Sequence, residues 1–298
     1  ESGAMFRGSI VALVTPMGAD GELDLAALDR LIEFHVGEGT DGIVIAGTTG
    51  ESPTLEADEL ETLVRRAVEV ADGRIPVIGG SGTNSTAKTV ALTRRVARAG
   101  AAAALVVTPY YNKPVQAGLL AHYRAVADAS EVPVVLYNVS GRTACDLEPA
   151  TAASLAEHEN IVGLKEALPE PARWQTLREL CPDNFCLLSG DDATARDFVL
   201  AGGQGVISVT ANVAPRLMHG LVAAALAGER RKAGSIDDRL GDLHGALFLE
   251  SSPIPAKWAV AHMGLIEQGI RLPLTWLAPV HEAALKAAMQ KAGVEAIA

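Results

Sequence analysis

The sequence predicts an α/β chain folded as a (β/α)8 TIM barrel with a C-terminal helical appendage. Eight short apolar runs alternate with eight segments of helical periodicity, and the connections between them are short. Eight parallel strands close into a barrel of typically about 250 residues, and the chain has 298. The competing open sheet lacks its signature. Its nearest trace is Gly80-Ser81-Gly82, where Ser85 replaces the third glycine, and no Walker loop occurs.

The apolar runs occupy residues 9–14, 42–46, 75–78, 104–107, 133–136, 161–164, 185–188 and 205–207. Runs that short and that continuously apolar suit interior parallel strands. The helical patterns between and after them cover residues 24–38, 56–72, 84–99, 116–129, 148–157, 170–180, 192–201 and 215–226. After about residue 228 the strands stop. Helical stretches follow at 229–249, 255–263 and 277–292, punctuated by Pro253, Pro255, Pro273 and Pro279. The expected organisation is a barrel domain over 5–228 and a helical extension over 229–298. Residues 1–4, ahead of Met5, read as a vector-derived leader.

Composition narrows the function. Hydrophobic residues make up 49%, enough for a large core, and aromatics only 4%, which favours close helix–sheet packing. With 25 basic and 36 acidic residues the net charge is −11, and no basic run of five appears, which argues against nucleic acid. No apolar run approaches the roughly 18 residues of a membrane span. Cys145, Cys181 and Cys186 form no disulfide framework, so a reducing cytoplasm is expected. The Cys181/Cys186 pair has no histidine pair near it and reads as structural thiols rather than a metal site.

Residues 161–167, Ile-Val-Gly-Leu-Lys-Glu-Ala, read as a buried strand that ends on a lysine. Alternation places Ile161, Gly163 and Lys165 on one face and Val162 and Leu164 on the other, with Gly163 leaving space beside the ammonium. The other six lysines sit among polar residues or in helix-like stretches. A lysine at an apolar strand mouth loses solvation, which lowers its pKa and frees the amine to attack a carbonyl. The plain alternative is a lysine that snorkels out of a strand end. A barrel carries its active site where its strands end. Those ends read Thr15-Pro16, Thr48-Thr49, Gly80-Ser81, Thr108, Tyr137, Lys165, Ser189-Gly190-Asp191 and Ser208, every one polar or small apart from Pro16. Gly47-Thr48-Thr49-Gly50-Glu51-Ser52 can turn backbone N–H groups towards an anion, although an ordinary strand–helix turn looks the same. Tyr137 can give and take a proton. Arg142, in the loop Val139-Ser140-Gly141-Arg142-Thr143, can fork a carboxylate, as most loop arginines do not. Tyr110 and Tyr111 are adjacent and must point different ways.

Taken together, the Gly47–Ser52 turn, Thr108-Pro109-Tyr110-Tyr111-Asn112, Leu136-Tyr137-Asn138-Val139, Gly163-Leu164-Lys165-Glu166-Ala167, Ser189-Gly190-Asp191-Asp192 and Ser208-Val209-Thr210-Ala211-Asn212 resemble the dihydrodipicolinate synthase family. That family is a branch of the pyruvate-dependent class I aldolases, and the resemblance runs from Phe6 to near the C-terminus. One stretch departs: many members read Val-Pro-Ser-Arg-Thr where this chain has Val139-Ser140-Gly141-Arg142-Thr143, with Arg142 kept.

The resemblance implies a lyase of lysine and diaminopimelate biosynthesis that condenses pyruvate with L-aspartate 4-semialdehyde. By it, Lys165 forms the pyruvate imine, Thr48 and Tyr111 relay protons through Tyr137, and Tyr111 comes from a neighbouring subunit. Thr49 and Thr48 would hold the pyruvate carboxylate through their backbone, Arg142 the semialdehyde carboxylate, and Ile207 would offer a carbonyl, with Gly190 in the same site. No external cofactor or metal is implied, and a homotetramer built from two tight dimers is. Two other readings stand beside it: a neuraminate lyase or ketodeoxy-sugar-acid aldolase, and a non-catalytic pyruvate-binding barrel. Feedback by L-lysine is expected to be weak. Ser52, Asn84 and Tyr110 suit such a site, but Ala57 and Leu60 stand where sensitive members often carry histidines, and Lys88 stands where they carry a glutamate.

Overall fold

In the computed structural model, which describes residues 5–297, eight parallel strands pair in sequence order and close on themselves into a barrel. Residues 1–4, read above as a leader, lie outside the described residues. The strands are β1 (Gly8–Ala12), β2 (Gly42–Ile45), β3 (Val77–Gly80), β4 (Ala103–Val107), β5 (Val134–Asn138), β6 (Ile161–Glu166), β7 (Cys186–Ser189) and β8 (Gly205–Ser208). Between and after them run α1 (Leu25–Gly37), α2 (Ala57–Ala71), α3 (Thr86–Arg98), α4 (Gln116–Ala129), α5 (Ser140–Thr143), α6 (Pro149–Leu155), α7 (Pro171–Leu180), α8 (Ala195–Leu200) and α9 (Pro215–Leu226). Then come α10 (Arg230–Ala246), α11 (Ile254–His262) and α12 (Glu282–Lys291). The expected TIM barrel is therefore the observed fold.

Strand side chains divide between two apolar layers. Ile10, Val44, Ile78, Leu105, Val135, Leu188 and their neighbours fill the barrel, while Val11, Ile43, Val106, Leu136 and Leu187 pack outward against the helices. The helices start where capping chemistry places them. Asp24 accepts from the Ala27 N–H ahead of α1, Glu56 and Glu59 form a reciprocal capping box on α2, and Ser85 caps α3. None is long and apolar enough to cross a membrane, among the described residues.

Two local expectations change. β5 and β6 run on to Asn138 and Glu166 because those polar residues serve each other: Asn138 Nδ2 donates to both Glu166 carboxylate oxygens at 3.2 and 3.1 Å. The alternation drawn for β6 also fails at its start. The ladder shifts between Val134 and Val135, which face Ile161 and Gly163, so Val162 is left over. Ile161 then packs outward beside Leu164, and Val162 turns against the barrel interior. From Gly163 onward the pattern is regular, so Lys165 points inward.

Candidate active site

Lys165 sits next to last on β6, where its register partners are Tyr137 on β5 and Leu188 on β7. It is buried, and its Nζ lies 4.0 Å from the centroid of the Tyr137 ring. No carboxylate pairs with that Nζ among the described residues. The amine therefore faces a ring and a cavity instead of a counter-charge. Gly190 makes room for it: a Cβ there would stand 3.1 Å from Lys165 Cε and 3.1 Å from Ala167 Cα. Gly163 does not play the part expected of it, because a Cβ would meet Cys186 Cβ and the Cys186 carbonyl, both at 2.8 Å. Its absent side chain admits the neighbouring strand, and the space beside the lysine comes from Gly190, directly after β7.

Below the lysine the next residue faces out into a polar network. Burial pushes the Glu166 carboxyl up to about 7, against the pull of Arg173 and Asn138. Arg173 in turn forks Asp146 at 2.9 and 3.1 Å. These contacts clamp the ends of β5 and β6 side by side and so hold Tyr137 and Lys165 at their spacing.

Several rim hydroxyls are occupied by the scaffold. Thr15 Oγ1 donates to the Gly50 carbonyl at 2.7 Å, Ser81 bonds Thr93 at 2.8 Å, and Thr108 contacts Thr143 at 3.4 Å. Ser189 donates to the Asp191 carbonyl at 3.1 Å, and Ser208 to Asp192 Oδ1 at 2.5 Å. Asp192 also accepts from the Val209 and Thr210 N–H groups, which fixes the chain after Ile207 on β8. Of the polar strand ends, Thr48, Thr49, Tyr137 and Lys165 keep side-chain groups free of partners among the described residues.

The Gly47–Ser52 turn closes on itself. Gly50, Glu51 and Ser52 donate their N–H groups to the Gly47 and Thr48 carbonyls at 3.1, 3.0 and 3.3 Å. The Thr48 and Thr49 N–H groups donate to no described residue, which leaves two adjacent donors for an anion. Thr49 is buried, while Thr48 lines a small pocket with Tyr137, Gly80 and Ser81. Thr48 also lines a larger groove of 730 Å³ beside Val107, Tyr110 and Arg142. It thus joins the barrel mouth to the arginine. Arg142 lies on α5, a single helical turn where a glycine loop was expected, and its Nη2 reaches the Ser252 carbonyl at 3.4 Å. Its fork is otherwise open among the described residues.

Tyr111 is the one predicted residue that does not join the others. It is 87% exposed with φ of +79°, a backbone that a tyrosine rarely adopts, and its N–H donates to the Thr143 carbonyl at 3.2 Å. Tyr110 turns the other way, into the groove. Sequence reasoning passed over Glu51 and Lys257, which pair behind the Thr48 turn. Lys257 carried a signal, since it is a lysine set in the apolar helix Ile-Pro-Ala-Lys-Trp-Ala-Val-Ala.

The sequence profile of the dihydrodipicolinate synthetase family matches residues 5–292. The chain is 57% identical over 290 residues to a 4-hydroxy-tetrahydrodipicolinate synthase from Methylococcus capsulatus, covering 97% of this chain and all of that one. Among solved structures it resembles the chloride-inhibited dihydrodipicolinate synthase of Acinetobacter baumannii complexed with pyruvate. There the TM-score is 0.96 at 47% identity, over 98% of this chain and 100% of the other. It is also similar to a monomeric dihydrodipicolinate synthase variant, with a TM-score of 0.95 at 42% identity over 98% of each chain.

Proposed function

The chain belongs to the dihydrodipicolinate synthetase family, and we propose that Lys165 carries its chemistry as a covalent imine with pyruvate. The protein is a lyase of the class I aldolase type that makes 4-hydroxy-tetrahydrodipicolinate from pyruvate and L-aspartate 4-semialdehyde. The observation that carries the imine is a buried amine at a strand end, without a counter-charge among the described residues and 4.0 Å from a tyrosine ring. Lys165 Nζ attacks the pyruvate ketone, water leaves, and loss of a methyl proton gives an enamine. The enamine carbon attacks the aldehyde, and the semialdehyde amine then attacks the imine carbon and releases Lys165 as the ring closes. The protons move through Tyr137, flanked by Thr48 and by Tyr111 of a second subunit. The two free N–H groups of Thr48 and Thr49 suit the pyruvate carboxylate, with the Ile207 carbonyl near the end of β8 on the same rim. Residues of the chain supply every role, so no separate cofactor enters.

A substrate panel tests this reading. Pyruvate with the semialdehyde should turn over, and pyruvate with sugar aldehydes should not. Preference for sugar aldehydes would assign the neighbouring aldolase activity, and pyruvate binding without turnover would assign a sensor. An exposed tyrosine held in a left-handed backbone supports a site completed between subunits, in a tetramer of two tight dimers within the cytoplasm. Sedimentation at assay concentration checks it, and an active monomer would contradict it.

Arg142→Ala should weaken the semialdehyde and spare pyruvate, because Arg142 lines the groove and not the small pocket that holds Tyr137. A hydrogen bond to a charged group contributes about 1.5–3 kcal/mol, so kcat/KM for the semialdehyde should fall about ten- to a hundredfold. An equal loss for both substrates would refute the clamp.

L-lysine should inhibit weakly. Lys88 lines the groove with Ser52, Ala57 and Tyr110, while Leu60 is buried in α2. Two ammonium groups about 4 Å apart repel by ~1–4 kcal/mol, depending on exposure. Inhibition assays on the wild type and on Lys88→Glu decide the matter. The variant should gain sensitivity, and strong inhibition of the wild type would show that this charge is not decisive.

A further inference from the structure

The turn that presents Thr48 and Thr49 is held from behind by the far end of the chain. Glu51 ends that turn in a left-handed backbone, φ +62°, with its side chain buried. Its Oε2 accepts from Lys257 Nζ at 2.5 Å and its Oε1 from the Arg271 N–H at 3.0 Å. Lys257, on α11, has no exposed surface and donates as well to the Gly269 carbonyl at 2.7 Å. Arg271 continues the connection outward. Its Nη1 donates to the Thr54 carbonyl at 2.7 Å, and its two terminal nitrogens fork Glu59 on α2 at 2.7 and 2.6 Å. Burial lowers the Lys257 pKa while Glu51 opposes that shift.

A buried ion pair stabilises a fold little compared with apolar residues of the same volume, but it tolerates only one geometry, since any other leaves a charge unpaired. Here that geometry fixes the residue two positions after Thr49. We propose that Glu51 and Lys257 are positioning residues for pyruvate: their pair locks the turn so that the Thr48 and Thr49 N–H groups converge on one carboxylate. The proposal rests on the pyruvate reading given above. It makes the C-terminal helices part of the catalytic apparatus, because α11 and the segment through Arg271 set donors on the opposite side of the turn. Two donors that must meet one anion lose it on a displacement of about 1 Å.

The test compares Glu51→Gln and Lys257→Met with the full-length wild type. Trapping of pyruvate by borohydride on the wild type settles the imine separately, so failure of that reading is visible before any variant is measured. An amide has one oxygen where the carboxylate has two, so Glu51→Gln must give up either Lys257 or the Arg271 N–H. In the folded variants the pyruvate KM should rise about tenfold or more, as expected for a weakened charged hydrogen bond. The semialdehyde KM should stay within about threefold, and kcat should fall less than the pyruvate KM rises. If Lys257→Met does not fold, Glu51→Gln alone decides. An unchanged pyruvate KM overturns the proposal. So does a lower apparent kcat that follows the folded fraction in a thermal melt while both KM values stay unchanged, because that is the mark of a purely structural ion pair.

Discussion

Incubated with pyruvate and reduced with borohydride, the protein should gain one pyruvate-derived mass per chain, located on Lys165. Burial alone would not choose this residue, since Lys257 is the more deeply buried of the two. What separates them is the partner. Lys257 Nζ donates to a carboxylate at 2.5 Å and to a carbonyl at 2.7 Å, so its lone pair is taken up by a proton that Glu51 holds in place. Among the described residues Lys165 Nζ has only the Tyr137 ring at 4.0 Å and the space left by Gly190. An amine without a carboxylate or carbonyl bound to it can approach a substrate carbonyl unobstructed. Lys165→Ala should abolish the adduct and reduce kcat by roughly 10⁴-fold or more, as losing an enzyme's nucleophile generally does. Its thermal midpoint should move little, because the side chain fills a cavity mouth and makes no hydrogen bond there. Label on Lys257 or on any other lysine, or no label, would refute the assignment.

The barrel was legible because each strand is a short apolar run and each helix a periodic one, and those patterns come from burial, which composition records directly. Lys165, Tyr137 and Thr48 were legible for a related reason: a polar residue directly after an apolar run must stand at a strand end. Glycines were harder to interpret. Gly163 and Gly190 look alike in the sequence, yet one admits Cys186 of the next strand and the other admits the lysine side chain. Only the register between β6 and β7 tells them apart, and no local pattern encodes it. The shift opposite Val162 misled for the same reason, since a bulge depends on the partner strand. The Glu51–Lys257 pair spans 206 positions, and neither residue alone signals the other. Rim hydroxyls such as Thr15 and Ser208 were over-read, because a strand-end hydroxyl serves a neighbouring loop as readily as a substrate.

Tyr137→Phe should lower kcat about 10²–10⁴-fold, the usual contribution of a positioned proton transfer, while the pyruvate KM stays within a few-fold. The substitution removes one oxygen and keeps the ring. That ring packs with the barrel-interior cluster around Val135 and Leu188 and lies beside the lysine, so the site's shape and the position of the amine persist. The hydroxyl is the part that can act. It has no hydrogen-bond partner among the described residues, unlike Tyr123, whose hydroxyl donates to the Val106 carbonyl at 2.8 Å and is structural. Tyr123 is tied to the scaffold in that way, whereas Tyr137 lines the pocket beside Thr48. Thr48 stands in the same pocket and gives the phenol a neighbour through which a proton can leave. Imine formation, enamine formation and ring closure each need such a transfer, so a loss confined to kcat is the expected signature. A change in KM alone would reduce the phenol to a binding group and would return the proton relay to some other residue of the rim.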